Sequence, residues 1–284
     1  MIDGYLLNSN GKIFYKAIGE GQPILFIHGG PGLTHDYFIP YLLELSNPNN
    51  KLIFFDQRGN GLSTSDLKSE YININQFTLD IENLREELRI DKMVIMGHSM
   101  GTFFAIDYAK RFPNHVSKLI LSNATPMDLG NLNKMNKNLI KKVNAYSNQL
   151  SDISDTLEFK NYDSNALKRY LTILNKHNFF NVDLVFKLFE NVSITERFMK
   201  NFEFINSKIL NEYLNLISDY NIDDISIPTL IINSDYDFIP SESSTYLKNN
   251  IKNSKVKTIY NSGHYPFIEK TIEFIDIVND FLKE

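Results

Sequence analysis

The chain has 284 residues and a formal net charge of −5, so its electrostatics give no reason to expect nucleic acid or an anionic membrane as a partner. It has no cysteine, which excludes disulfides, thiol nucleophiles and thiolate metal sites and fits a reducing compartment. The start, MIDGYLLNSNGK, lacks the basic and apolar regions of a secretory signal, and no apolar run approaches the roughly 20 residues that span a bilayer, so a soluble, cytoplasmic protein is expected.

At this length the chain can bury a large core, as one α/β domain or as a core with an insertion. No repeat of fixed period is seen. Tyr5 to Leu7 and Ile13 to Ile18 read as paired strands, with a turn over Asn8 to Gly11. Ile24 to Ile27 is a stronger strand running into HGGPG, His28 to Gly32. There two glycines and a proline leave backbone N–H groups exposed at the strand's carboxyl end, the edge where open parallel sheets place ligands. Alone, this is a tight connecting loop. Beside a serine nucleophile it gains a second use, donating an amide to a developing oxyanion.

Leu52 to Phe55 forms the next strand and ends in DQRGNGLS, Asp56 to Ser63. Gly59 and Gly61 hint at a dinucleotide loop, but the third glycine is missing and Ser63 to Tyr71 is polar and irregular, so that reading is rejected. A rigid turn is expected instead, with Asp56 and Arg58 tying loops together by charge-assisted bonds. Gln76 to Ile90 has a helical apolar face of Phe77, Ile81, Leu84 and Leu88.

The central stretch is MVIMGHSMG, Met93 to Gly101. A Gly-x-Ser-x-Gly sequence also occurs in ordinary turns. Here four apolar, β-favouring residues precede it and helix spacing follows from Thr102 to Arg111, the setting of a nucleophile elbow that holds Ser99 in a strained turn. Pro113 stops that helix, and Lys118 to Leu121 is another strand. From Met127 to near Asp223 the sequence is helical and rich in asparagine and lysine. A structureless loop of that length is improbable inside a compact domain, so an inserted domain is expected, with helical faces at Asn165 to Leu174, Val182 to Phe189 and Ser207 to Ile217. Lys134, Lys137, Lys141 and Lys142 read as a solvated face. The strand Thr229 to Asn233 is followed by two competing carboxylates, Asp235 and Asp237. Val256 to Tyr260 is the last strand, and His264 follows it behind Gly263. His28 and His98 belong to the loop and elbow motifs, whereas His35, His115 and His177 have no motif support. No HExxH pattern is present, and neither metal nor cofactor is expected.

HGGPG, DQRGNGLS and GHSMG at these separations resemble the α/β-hydrolase superfamily, over Ile24 to Ala124 and from Pro228 onward. The HGGPG and DQRG pair is similar in particular to the proline iminopeptidases. The resemblance implies an α/β fold: a mostly parallel central sheet flanked by helices, with a core of 1–126 and 223–284 and a helical cap at 127–222. It implies a triad in the order Ser99, Asp237, His264. Asp237 is chosen over Asp235 because the family's acid stands a few residues before a proline, here Pro240, although Ser234 replaces a glycine common there. The amides of Gly30 and Met100 become oxyanion donors and Gly29 a substrate contact. Cap glutamates of the family hold a peptide's free amino end, and Glu203 in KNFEF is the nearest match. Phe238 stands where some relatives have a second glutamate, and the glycines and tryptophan expected around the cap motif are absent.

The expected activity is release of N-terminal proline or a similar residue from short peptides through an acyl-enzyme. A carboxylesterase or lactonase is the alternative, and a non-catalytic binding protein on the same fold is a third. A small-molecule or short-peptide substrate is expected, without nucleic acid or membrane partners, and the oligomeric state is not readable.

Overall fold

Alternating residues at the start and solid apolar runs later build one twisted sheet in the computed structural model, which describes residues 2–8, 10–68 and 70–284. Among these residues the strands are β1 (Ile2–Asn8), β2 (Gly11–Ile18), β3 (Gln22–Ile27), β4 (Asn50–Phe55), β5 (Thr64–Ser65), β6 (Met93–His98), β7 (Val116–Ser122), β8 (Thr229–Ser234) and β9 (Ser254–Ile259). Their order across the sheet is β1-β2-β4-β3-β6-β7-β8-β9, with β5 paired to β2. The β1, β2 and β4 pairings are antiparallel, and every pairing from β4 to β9 is parallel. Every residue of β6 and β8 is buried, as expected for parallel strands covered on both faces. The edge strand β9 is only partly buried and carries Lys255 and Lys257, charges that discourage further pairing. The turn expected at Asn8 to Gly11 includes Ser9, and the irregular stretch at Ser63 to Tyr71 includes Ser69; both lie outside the described residues. Within that stretch β5 is regular and pairs with β2.

Helices α1 (Ile74–Glu87) and α2 (Gly101–Arg111) flank β6 in sequence. Asn73 starts α1 by accepting the Gln76 N–H on its side chain. Between β7 and β8 the chain leaves the sheet for α3 (Leu129–Asn144), α4 (Ser147–Ser154), α5 (Leu157–Lys160), α6 (Ser164–Leu174) and α7 (Glu196–Leu216). Then α8 (Ser241–Asn250), α9 (Pro266–Glu269) and α10 (Thr271–Lys283) complete the chain. Phe77, Phe104 and Leu247 from α1, α2 and α8 pack into the apolar layer on one sheet face. Phe274 and Val278 of α10 join Phe38 and Leu42 on the other.

Two elements differ from expectation. Val182–Phe189 is a 3₁₀ segment rather than an α-helix, and Val182, Val185 and Leu188 follow its three-residue repeat, with the last two buried. α7 begins well before Ser207, because the Thr195 side chain accepts the Phe198 N–H and starts the helix there. Of the expected solvated lysines, Lys134, Lys137 and Lys141 are exposed, but Lys142 is not: its ammonium donates to the Tyr236 carbonyl and lies 3.8 Å from that ring's centroid.

Candidate active site

Because β3, β6, β7, β8 and β9 run parallel, their carboxyl ends share one edge of the sheet, and the connections leaving them meet there. The turn after β6 carries Ser99. Ser99 has φ of 54°, a left-handed value uncommon outside glycine, and its N–H is tied to the Ser122 carbonyl of β7 at 3.0 Å. A Cβ on Gly97 would meet the Gly101 carbonyl oxygen at 2.5 Å, and one on Gly101 would meet the Ile27 carbonyl oxygen at 2.2 Å, so both positions require glycine for close approach. Thr102 holds the turn from below, its hydroxyl donating to the Ser99 carbonyl at 2.6 Å and accepting the Thr125 N–H at 3.1 Å.

The loop after β8 delivers Asp237, and the loop after β9 delivers His264. His264 Nδ1 lies 3.0 Å from both carboxylate oxygens of Asp237. Asp235 instead accepts the Ser262 N–H at 3.3 Å and serves as a turn residue. Asn123, just past β7, donates its side-chain amide to Asp237 Oδ2 at 2.8 Å and also faces the Ser234 hydroxyl and the Gly263 carbonyl. Burial alone would raise the Asp237 pKa; the histidine ring and the Asn123 amide outweigh it and hold the carboxyl below the usual carboxylate range. Sequence reasoning missed Asn123. Its signal was position only, an asparagine at the end of the strand beside the one that precedes the acid.

A second set of bonds joins the HGGPG loop to the elbow. The Gly29 N–H donates to the Tyr37 hydroxyl at 2.5 Å, which in turn donates to His98 Nδ1 at 2.9 Å. His98 Nε2 then donates to the His264 carbonyl at 2.8 Å. Burial pushes His98 well below the ordinary histidine pKa, so the ring is neutral, as this donor and acceptor pattern requires. Gly29 therefore sits against Ser99, but its amide is engaged by Tyr37. The amides of Gly30 and Met100 donate to no described residue. Asp56 and Arg58 tie loops as expected, though not to each other: Asp56 accepts His35 Nδ1 at 2.8 Å and the Leu62 N–H at 2.8 Å, while Arg58 makes a two-point pair with Asp80 at 2.5 and 2.9 Å.

Above Ser99 lies a cavity of about 280 Å³ that Gly29, Gly30, Ser99 and His264 line from the sheet side. Ser99 and His264 are not hydrogen-bonded to each other across it. Its opposite wall comes from α3, α6 and α7, including Leu139, Leu174, Phe202 and Asn206, with Asn178 and His177 between α6 and the 3₁₀ segment. His177, without a motif in sequence, is a wall residue, and burial lowers its pKa to about 4. Glu203 is not brought to the cavity. Phe198, Phe202 and Asn206 share the inward face of α7 at four-residue spacing, and Glu203, one position past Phe202, is turned about 100° away and exposed. The Asn178 carbonyl accepts the His264 N–H at 2.7 Å, which joins this wall to the histidine loop. Among the described residues no cluster of three or more histidines and carboxylates could hold a metal, and no helix is long and apolar enough to cross a membrane.

This fold and sheet-edge site define a class. The sequence model of the alpha/beta hydrolase fold matches residues 22–271, and the chain belongs to that family and is a hydrolytic enzyme. Over its whole length it resembles proline iminopeptidases. One from Saccharolobus solfataricus is 27% identical over 302 residues, spanning 99% of this chain and 92% of the relative. Among solved structures, a meta-cleavage product hydrolase from Pseudomonas fluorescens superposes with a TM-score of 0.73 at 22% identity, covering 99% of this chain and 97% of its own. A proline iminopeptidase from Mycobacterium smegmatis gives a TM-score of 0.70 at 17% identity, covering 99% and 98%. At these identities the solved structures speak to the fold alone.

Proposed function

We propose that the chain is a serine hydrolase working through an acyl-enzyme, with Ser99 as nucleophile, His264 as general base and Asp237 as the group that orients it. The observation that carries this reading is His264 Nδ1 at 3.0 Å from both oxygens of Asp237, beside a serine held at φ 54°. With Nδ1–H directed at the carboxylate, Nε2 is the basic nitrogen. It takes the Ser99 proton as Oγ attacks a carbonyl, and the carbonyl oxygen gathers negative charge. The amides of Gly30 and Met100, which have no other described partner, donate to that oxyanion; a donor of this kind is worth about 10²- to 10³-fold in turnover. The imidazolium then protonates the leaving group as the acyl–leaving-group bond breaks. Water enters, His264 takes its proton, and the acid is released as Ser99 is restored. Residues 127–222 act as a cap that covers the acyl group and admits the one water this step consumes.

Kinship with proline iminopeptidases along the full chain supports one reading of the substrate, a short peptide that gives up an N-terminal proline or similar residue. The cavity wall supports a second, an ester or lactone with an apolar acyl chain, since leucine, valine and phenylalanine side chains make up much of it. Proline and alanine arylamides set against short acyl esters separate the two. Arylamide cleavage supports the peptidase; ester turnover without it removes that reading.

A further inference from the structure

The cavity that receives the acyl group has no negative charge on its wall. Among the described residues no aspartate or glutamate lines it; its polar side chains are amides, imidazoles, a phenol and the Ser99 hydroxyl. His98 and His177 are kept neutral by burial. Three carboxylates stand next in sequence to wall residues, and none lines the cavity. Glu190 and Glu203 are exposed, and Asp237 is occupied by His264 and Asn123.

Two opposite charges lie behind the wall, the Lys142 ammonium and the Asp237 carboxylate. Lys142 stands in α3 between Leu139 and Val143, both wall residues, and its ammonium is fixed by the carbonyl and ring of Tyr236. Neither Lys142 nor Asp237 lines the cavity, and their charges act on His177 in opposite directions. An α-ammonium entering this space would exchange water for neutral amides, and no carboxylate lines the wall to offset the lost hydration. An aliphatic chain meets only apolar contacts and suffers no such loss.

We propose that this enzyme takes acyl groups that carry no charge, cleaving neutral short-chain acyl esters and rejecting a free amino terminus, with Asn206 as the wall residue that sets this specificity. The inference rests on the acyl-enzyme reading above and selects between its two substrates. In the acylation step the ester's acyl–oxygen bond breaks, the Ser99 Oγ–acyl bond forms, and the alcohol leaves with the proton carried by His264.

The test compares 4-nitrophenyl butyrate with 4-nitrophenyl 2-aminobutyrate, which share a leaving group and differ by one ammonium, with spontaneous hydrolysis subtracted. The expected kcat/KM ratio is at least about 100-fold in favour of the butyrate, because an ammonium is rejected more strongly than the added hydroxyl that apolar pockets already disfavour by this factor. Asn206→Asp places a carboxylate in the wall and should narrow the ratio by about tenfold or more. A melting curve verifies that the variant folds. Equal or better turnover of the amino ester by the unaltered protein overturns the inference, and an unchanged ratio in the folded variant overturns the role of Asn206. Fluorophosphonate labelling run in parallel separates the levels. Label on Ser99 with preference for the amino ester sinks the specificity alone, whereas neither label nor turnover of either ester sinks the hydrolase reading with it.

Discussion

Replacing Asp237 by Asn tests the relay with almost no change in volume. The carboxylate accepts three donors: His264 Nδ1 at 3.0 Å, the Asn123 amide at 2.8 Å and the Ile239 N–H at 3.3 Å. A carboxamide has one acceptor oxygen and a donor in place of the other. Asn123 is anchored by Ser234 and Gly263, so the new oxygen turns toward it and the NH₂ toward the imidazole. His264 must then carry its proton on Nε2, where it cannot accept one from Ser99. The expected loss is roughly 10⁴-fold in kcat, the scale at which this tautomer error acts in serine triads, or about 5 kcal/mol of barrier. Stability changes far less, by about 1–3 kcal/mol at pH 7 for the charge-assisted bonds removed. The sign with pH is fixed. A folded-state pKa held below the unfolded one stabilises above the unfolded value and is lost as pH falls through the folded value, so the stability gap between wild type and variant should begin to narrow below about pH 4. Initial rates on 4-nitrophenyl butyrate and urea unfolding at pH 7 and pH 3.5 supply both readouts. Activity within tenfold of wild type refutes the reasoning.

Three further outcomes follow from particular contacts. Glu203→Gln should leave ester and arylamide rates within about twofold, as for other exposed positions; a selective loss on arylamides would put Glu203 in the site after all. Burial lowers the His177 pKa to about 4, so the folded state binds fewer protons than the unfolded below pH 6.5 and stability drops as pH falls from there toward 4. His177→Gln should make that slope shallower by at most about 1.4 kcal/mol per pH unit in urea unfolding at pH 7, 6 and 5, and parallel slopes would contradict a buried, neutral ring. Thr102→Val leaves the buried Thr125 N–H without its 3.1 Å acceptor and should cost about 1–3 kcal/mol; unaltered stability would mean that the elbow does not depend on this contact.

The strands were legible because buried parallel strands leave unbroken apolar runs. The elbow was legible because its two glycines are demanded by backbone contacts that no other residue fits. Asp237 and His264 are expected from the order and flanking residues of the resembling family, and their side chains meet because the sheet brings the ends of β8 and β9 together whatever lies between them. Asn123 could not. Its role exists only once β7 and β8 are neighbours and Asp237 has turned back over them. Glu203 misled for a related reason. A motif match fixes sequence position, but one residue along a helix is a rotation of about 100°, enough to exchange the inward Phe202 for an outward carboxylate. Lys142 looked like its exposed neighbours because the Tyr236 ring that receives it comes from a segment nearly a hundred residues away.

The most direct test of the central claim is intact-mass and peptide mapping of the protein after reaction with a fluorophosphonate, alongside Ser99→Ala and His264→Ala. The account predicts a single adduct on Ser99, none in the serine variant, and labelling in the histidine variant slowed by orders of magnitude. An adduct on another residue, or ester hydrolysis that persists in Ser99→Ala, would contradict it.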